Sequence, residues 1–125
     1  MNQQEAHQIV FNKVWQRAKT KKKSEIMHED GPLCCYRKDG NGNNLNDENC
    51  CFIGPMISPE EYDPKFDSQM ALLRIKDHLK PDNPLKFCCH KFLIALQSVH
   101  DQLEPYDWED KLRQKANYWK VEIPE

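Results

Sequence analysis

The chain has 125 residues, 30% of them charged and 38% hydrophobic, with a net charge of -2. That length suits one domain over residues 1–125, able to bury about two-thirds of its unfolded surface without disulfides or metal. No stretch approaches the roughly 18 apolar residues of a membrane helix, and the opening Met1-Asn2-Gln3-Gln4-Glu5 has no basic, apolar leader pattern, so the cytoplasm is the expected compartment and a membrane is not a partner.

Residues from about 4 to 20 read as an amphipathic helix, opened by an Asn2–Glu5 capping box. Ala6, Ile9, Val10, Val14 and Ala18 form one stripe, which Phe11 and Trp15 widen into a core-facing arc. Residues 21–32 read as a polar connecting loop. Residues 33–37 and 50–56 suit two short strands, joined across the Asn/Gly/Asp-rich stretch 38–49. Residues 67–79 place Ala71, Leu72, Ile75 and Leu79 at helical spacing. Asn83-Pro84 marks an N-cap and first turn, starting a helix to His100 with Leu85, Cys88, Cys89, Phe92, Leu93, Leu96 and Val99 inward. A last helix, from about Pro105 to Tyr118, presents Trp108, Leu112, Ala116 and Trp119, and residues 120–123 suit a short edge strand. The fold class expected from this order is α+β, mostly helical with about four helices, carrying one long-looped β-hairpin.

Charge is unevenly spread. Residues 1–23 hold six Lys/Arg against one Glu, a net of +5, and residues 24–67 hold three Lys/Arg against ten Asp/Glu, a net of -7. The run Lys19-Thr20-Lys21-Lys22-Lys23 could meet nucleic-acid phosphates. A solvated helix end, where Lys complements the dipole, is the better account, and the negative overall charge argues against a nucleic-acid partner.

Six cysteines come as the adjacent pairs Cys34-Cys35, Cys50-Cys51 and Cys88-Cys89. The Cys-x2-4-Cys knuckles of zinc sites are missing, and adjacent residues on a strand point to opposite faces. Packing as small hydrophobes accounts for them better than a metal does, so no metal and no cofactor is expected. The loop from Asp39 to Cys50 offers Asp39, Asn41 and Asn43 at the first three oxygen-donor positions of a calcium loop. Asn44 replaces the required Gly and Cys50 the bidentate Glu, so a plain Asn/Gly turn fits better. No phosphate-binding Gly loop and no His-Glu-x-x-His spacing occurs.

Cys34-Cys35-Tyr36-Arg37, the run from Cys50-Cys51-Phe52-Ile53-Gly54-Pro55 to Glu60-Glu61-Tyr62-Asp63, and Leu96-Gln97-Ser98-Val99-His100-Asp101 occur in that order. Together they resemble a family of small uncharacterised proteins from bacteria and their phages. That family's pattern is a Cys-x-Tyr-Arg strand, a Gly-containing turn, a Cys-x-x-Gly strand, an acidic-Tyr segment and a late Leu-Gln-x-x-His-Asp helix. The likeness spans most of residues 8–120 and implies no activity. This chain departs from it at Gly54-Pro55-Met56-Ile57, where a second-strand Cys would stand, and its turn is longer.

Tyr36, Arg37, His100 and Asp101 are the candidate ligand-binding residues. Arg offers a bidentate fork for phosphate or carboxylate, and Tyr a flat face with a hydroxyl. If the hairpin lies over the end of the long helix, the four would converge on a small anionic or nucleotide-like ligand. The same convergence would equally suit a structural Arg37–Asp101 salt bridge. Residues adjacent on a helix do not face each other, which leaves Asp101 poorly placed to orient His100. The function expected is that of a small cytoplasmic accessory protein, phage- or prophage-related, binding a small polar ligand or a host protein, with interference in host defence as a role. The alternative is a Cys/His-dependent hydrolase using His100 and Cys34, Cys35 or Cys50. With no nucleophile–base–orienter geometry evident, the balance is against an enzyme.

Overall fold

In a computed structural model of the 125-residue chain, residues 1–20, 25–28, 31–34, 52–58, 60–61 and 75–124 are described, those of 25–28, 31–34 and Pro55 by backbone alone. Three α-helices dominate: α1 (Gln3–Lys19), α2 (His90–Gln102) and α3 (Trp108–Trp119). None of the described helices is long and apolar enough to cross a membrane.

Helix α1 opens on the expected cap, with the Asn2 Oδ1 accepting from the Glu5 N–H at 2.8 Å and the Asn2 amide donating to Glu5 Oε1 at 3.0 Å. Its buried arc is Ala6, Val10, Phe11, Val14, Trp15 and Ala18, joined by His7 and Arg17 in place of Ile9, which is exposed.

The expected α+β class with a long-looped hairpin does not stand. Its second strand is missing from residues 52–56: Phe52 and Ile53 lie in a bend, and Gly54–Met56 is a 3-10 turn closed by Met56 N–H to Ile53 and Ile57 N–H to Gly54. Pro55 has no N–H to donate to a ladder and its fixed φ suits the first turn of a helix. Phe52, Ile53, Gly54, Met56 and Ile57 are all buried, so this apolar run is covered on every side instead of alternating. Among the described residues the only strands are β1 (Glu25–His28) and β2 (Gly31–Cys34), antiparallel, with Ile26 opposite Leu33 and His28 opposite Gly31. β1 and the start of β2 fall in a stretch that reads as loop by its polarity. Of the helix expected over 67–79, the described part is a 3-10 turn, Lys76–His78, and residues 62–74 lie outside the described residues.

The long helix expected from Pro84 is broken. Asn83 caps a 3-10 turn, Pro84–Phe87, by accepting from the Leu85 N–H at 2.9 Å. Cys88 and Cys89 are then extended, and α2 starts at His90. Side chains from elsewhere satisfy the backbone at the break. The Cys89 N–H donates to His7 Nε2 at 3.0 Å and the Lys76 ammonium to the Cys88 carbonyl at 2.9 Å. The inward residues are otherwise those the spacing predicts, with Leu85, Cys88, Phe92, Leu93, Leu96 and Val99 buried.

A polar clasp holds the 52–61 segment on this core. Ser58 and Glu61 form a reciprocal capping box, with the Ser58 N–H to Glu61 Oε1 at 3.1 Å and the Glu61 N–H to Ser58 Oγ at 3.3 Å. The Asn83 amide donates to the Met56 carbonyl and to both Glu61 carboxylate oxygens, and Glu61 Oε2 also accepts from the Lys80 N–H. Burial alone raises the Glu61 carboxyl; hydrogen bonds from Lys80, Asn83 and Ser58 outweigh it and leave the group below its ordinary value.

The tail takes no regular strand form. Its place is held by Gln8, whose amide accepts from the Glu122 N–H at 2.7 Å and donates to the Glu122 carbonyl at 2.8 Å, the pair of bonds a neighbouring strand would supply. The turn into it needs a left-handed residue, and Lys120 takes that conformation (φ 57, ψ 44). A side chain with a Cβ is strained there, so Lys120→Gly is expected to stabilise the fold by about 1 kcal/mol, read as a rise in thermal midpoint.

Candidate functional site at the end of helix α2

Helix α2 ends at Gln102 because Leu103 and Glu104 turn extended ahead of Pro105, whose ring disfavours a helical residue before it. That sharp exit places Trp108, the first residue of α3, back against the last turn of α2. Its indole N–H reaches the Leu103 carbonyl at 3.2 Å. Trp108 stacks on the His100 imidazole, with centroids 5.4 Å apart and planes at 27°. Phe52 closes the other side edge-on, 5.2 Å from His100 and 4.8 Å from Trp108. His100 is wholly buried between them.

The structure brings His100 and Asp101 together. The His100 Nδ1–H donates to Asp101 Oδ1 across 3.0 Å, against the expectation that neighbours on a helix cannot meet. The position is the helix's last turn, where the Asp side chain can fold back along the backbone. The Gln97 amide donates to the same oxygen at 2.9 Å from one turn below. Gln97 also accepts from the Ile53 N–H at 3.4 Å, tying the 52–58 segment to this pair. The Asp101 side chain keeps 42% of its surface exposed, whereas His100 keeps none. The carboxylate is therefore the face offered to solvent and the imidazole the group behind it. Tyr36 and Arg37, the other two candidates, lie outside the described residues, as do the 38–49 loop and the Cys35 and Cys50 candidate nucleophiles.

Arg17 belongs to this cluster and its charge hid it. It is 2% exposed, with its guanidinium carbon 5.6 Å from the Trp108 ring centre and 6.0 Å from that of Phe52. These are distances at which a cation is attracted to an aromatic face. Its Nη1 donates to the Thr20 hydroxyl at 2.9 Å. The signal was present in the spacing, since Arg17 lies seven residues after Val10 and three after Val14, on the buried arc. The neighbouring lysine run disguised it as part of a solvated helix end.

Chemically, the cluster orients an imidazole with its Nδ1 proton committed to a carboxylate, which among the described residues also accepts from Gln97. Among the described residues no group of three His, Cys, Asp or Glu is placed to hold a metal ion. Cys88, buried near Lys76, has its thiol pushed up to about 12 by burial, so it is inert near neutral pH. Comparison with protein-family models, with curated proteins and with solved structures finds no match to this chain.

Proposed function

We propose that this chain is a small accessory protein, without catalytic activity, that binds a small anionic, nucleotide-like ligand at the end of helix α2. The observation that supports this is the Asp101 carboxylate, exposed yet held by Gln97 and His100. A carboxylate fixed in this way is a prepared acceptor for sugar hydroxyls or ring N–H groups. In the same reading Arg37 takes the anionic part of the ligand, Tyr36 lends its ring, and His100 acts as a positioning residue behind Asp101. In the same reading the protein is cytoplasmic and phage- or prophage-related, with the phage setting taken from the motif resemblance and interference in host defence from that setting. A host protein in place of the small ligand is the other partner this surface would suit.

Native mass spectrometry of the protein as purified tests the reading. A non-covalent mass excess matching a nucleotide, reduced by one equivalent in Asp101→Asn and in Arg37→Ala, is the expected result. A bare mass, together with no heat of binding across a nucleotide panel, would sink the small-ligand reading.

The His100–Asp101 geometry favours one second reading, a Cys/His-dependent hydrolase, because a carboxylate on Nδ1 is how a catalytic imidazole is oriented. Against it stands the complete burial of the ring. The accessory reading predicts that all six thiols react slowly with iodoacetamide at pH 7. One cysteine alkylated roughly a hundredfold faster than the rest, as a depressed thiol pKa demands, would favour the hydrolase.

A further inference from the structure

The other end of the α2–α3 pair carries a groove that the Asp101 cluster does not use. Lys91 and Asp101 are ten residues apart on α2, roughly 15 Å along the helix. The groove offers about 430 Å3 and is lined by Lys91, Ala95, Gln114, Lys115, Tyr118 and Trp119. That volume falls within the roughly 300–1,000 Å3 of small-ligand sites.

Its lining is chemically one-sided. No acidic side chain contributes, and among the described residues neither the Lys91 nor the Lys115 ammonium has an ion-pair or hydrogen-bond partner. The first turn of α2 holds no acidic residue, and its cap residue Cys89 makes no side-chain cap bond, so the positive end of the helix adds to Lys91. A lysine in that first turn opposes the dipole, an arrangement a bound anion would relieve. Beside the two cations, the Tyr118 and Trp119 rings stand 5.3 Å apart at 74°, forming an aromatic corner. Tyr118 is 76% exposed, with its ring open to a partner.

Two unpaired ammonium groups next to a right-angled pair of rings match a ligand that is anionic at one end and planar at the other. We propose that this groove binds a mononucleotide, with its base against Tyr118 and its phosphate between Lys91 and Lys115. Base–aromatic stacking tolerates any base, and the Gln114 amide, at the groove wall, offers a donor for the base edge. The site is separate from Asp101 and does not depend on binding there.

The test is a titration of the isotopically labelled protein with adenosine 5′-monophosphate, following the indole N–H resonance of Trp119 by NMR. Adenosine and inorganic phosphate are titrated in parallel. A saturable shift is expected with the mononucleotide. It should be about tenfold weaker in Lys115→Glu and in Lys91→Glu, the loss of one charge-assisted contact, with Lys115→Gln intermediate. The charge-matched control Lys13→Glu, on the exposed side of α1, should bind as the parent does. Adenosine or phosphate alone should each bind at least tenfold more weakly. The proposal is overturned by a Trp119 signal that does not saturate at millimolar mononucleotide, or by Lys115→Glu and Lys13→Glu behaving alike. Phosphate binding as tightly as the mononucleotide would equally overturn it, as would an acidic peptide saturating the signal when the mononucleotide does not.

Discussion

Trp108→Ala is expected to lower the free energy of unfolding by about 3–5 kcal/mol, the largest single-residue loss in the described core. Trp108 is fully buried and is the common neighbour of Phe52, His100 and Arg17. Removing the indole deletes apolar surface and leaves a void between α2 and α3 that these neighbours cannot all move to fill. It also takes the hydrogen-bond donor from the Leu103 carbonyl and one of two aromatic faces from a buried guanidinium. Trp108→Phe keeps part of the ring and is expected to cost less, about 1–3 kcal/mol. Urea unfolding, read as a fall in midpoint at constant slope, checks both.

The coupling matters more than the size. A buried guanidinium is costly to desolvate unless its surroundings compensate, and part of that compensation comes from two ring faces and Thr20. A cycle combining Trp108→Phe with Arg17→Gln should show a coupling of about 0.5–2 kcal/mol. Additivity within a few tenths would mean that Arg17 is held by its other contacts instead. Because the same indole stacks on His100, Trp108→Ala should also loosen the support behind Asp101. Stability and the ligand binding proposed at the end of α2 are then expected to fall together, whereas Trp108→Phe should largely spare binding.

Helical periodicity carried most of what the residues could reveal. The Val10–Val14–Ala18 face, the inward Phe92, Leu93, Leu96 and Val99, and the Trp108–Leu112–Ala116 stripe are all local patterns, and the buried residues follow them. What was hidden depends on partners distant in sequence. Nothing between Pro84 and His100 announces that the helix breaks at Cys88-Cys89, because the groups that satisfy the opened backbone are His7, 82 residues away, and Lys76. The hairpin was misplaced for a different reason. Residues 52–57 have strand composition, yet Gly54-Pro55 sits among residues buried on all sides, and composition cannot tell a buried turn from a buried strand. Of the cluster at the end of α2, the motif singles out His100 and Asp101, whereas the sequence reading gives Arg17 and Gln97 no role. A charge on the buried arc and an amide one turn below Asp101 have meaning only once the 52–58 segment folds over them.

The break at Cys88-Cys89 predicts a pH dependence with a defined origin. His7 is almost wholly buried, stacked on Phe92 at 4.0 Å and edge-on to Trp119 at 5.7 Å. Its Nε2 must be unprotonated to accept from the Cys89 N–H. Burial first, and then the positive charge of Lys76, hold its pKa below the ordinary 6.5. Cys88 offers no compensating negative charge, since burial keeps its thiol protonated. Below pH 6.5 the unfolded chain therefore binds a proton that the folded chain resists. The stabilisation is complete above 6.5 and is lost as pH falls from there towards the depressed folded value. His7→Gln keeps an acceptor but cannot titrate, so the difference in unfolding free energy between parent and variant should shrink steadily as the solution is acidified from about pH 7.5 to 5. The remaining histidines are common to both proteins and cancel. His7→Ala, which orphans the Cys89 N–H and removes the stack, should cost about 2–4 kcal/mol at pH 7.5. A parent–Gln difference that stays flat across this range would show that His7 titrates normally and that its ring is held only by packing. A difference that shrinks would identify one proton as the control on whether α2 starts at His90, and so on how firmly Phe92 and Trp119 are seated.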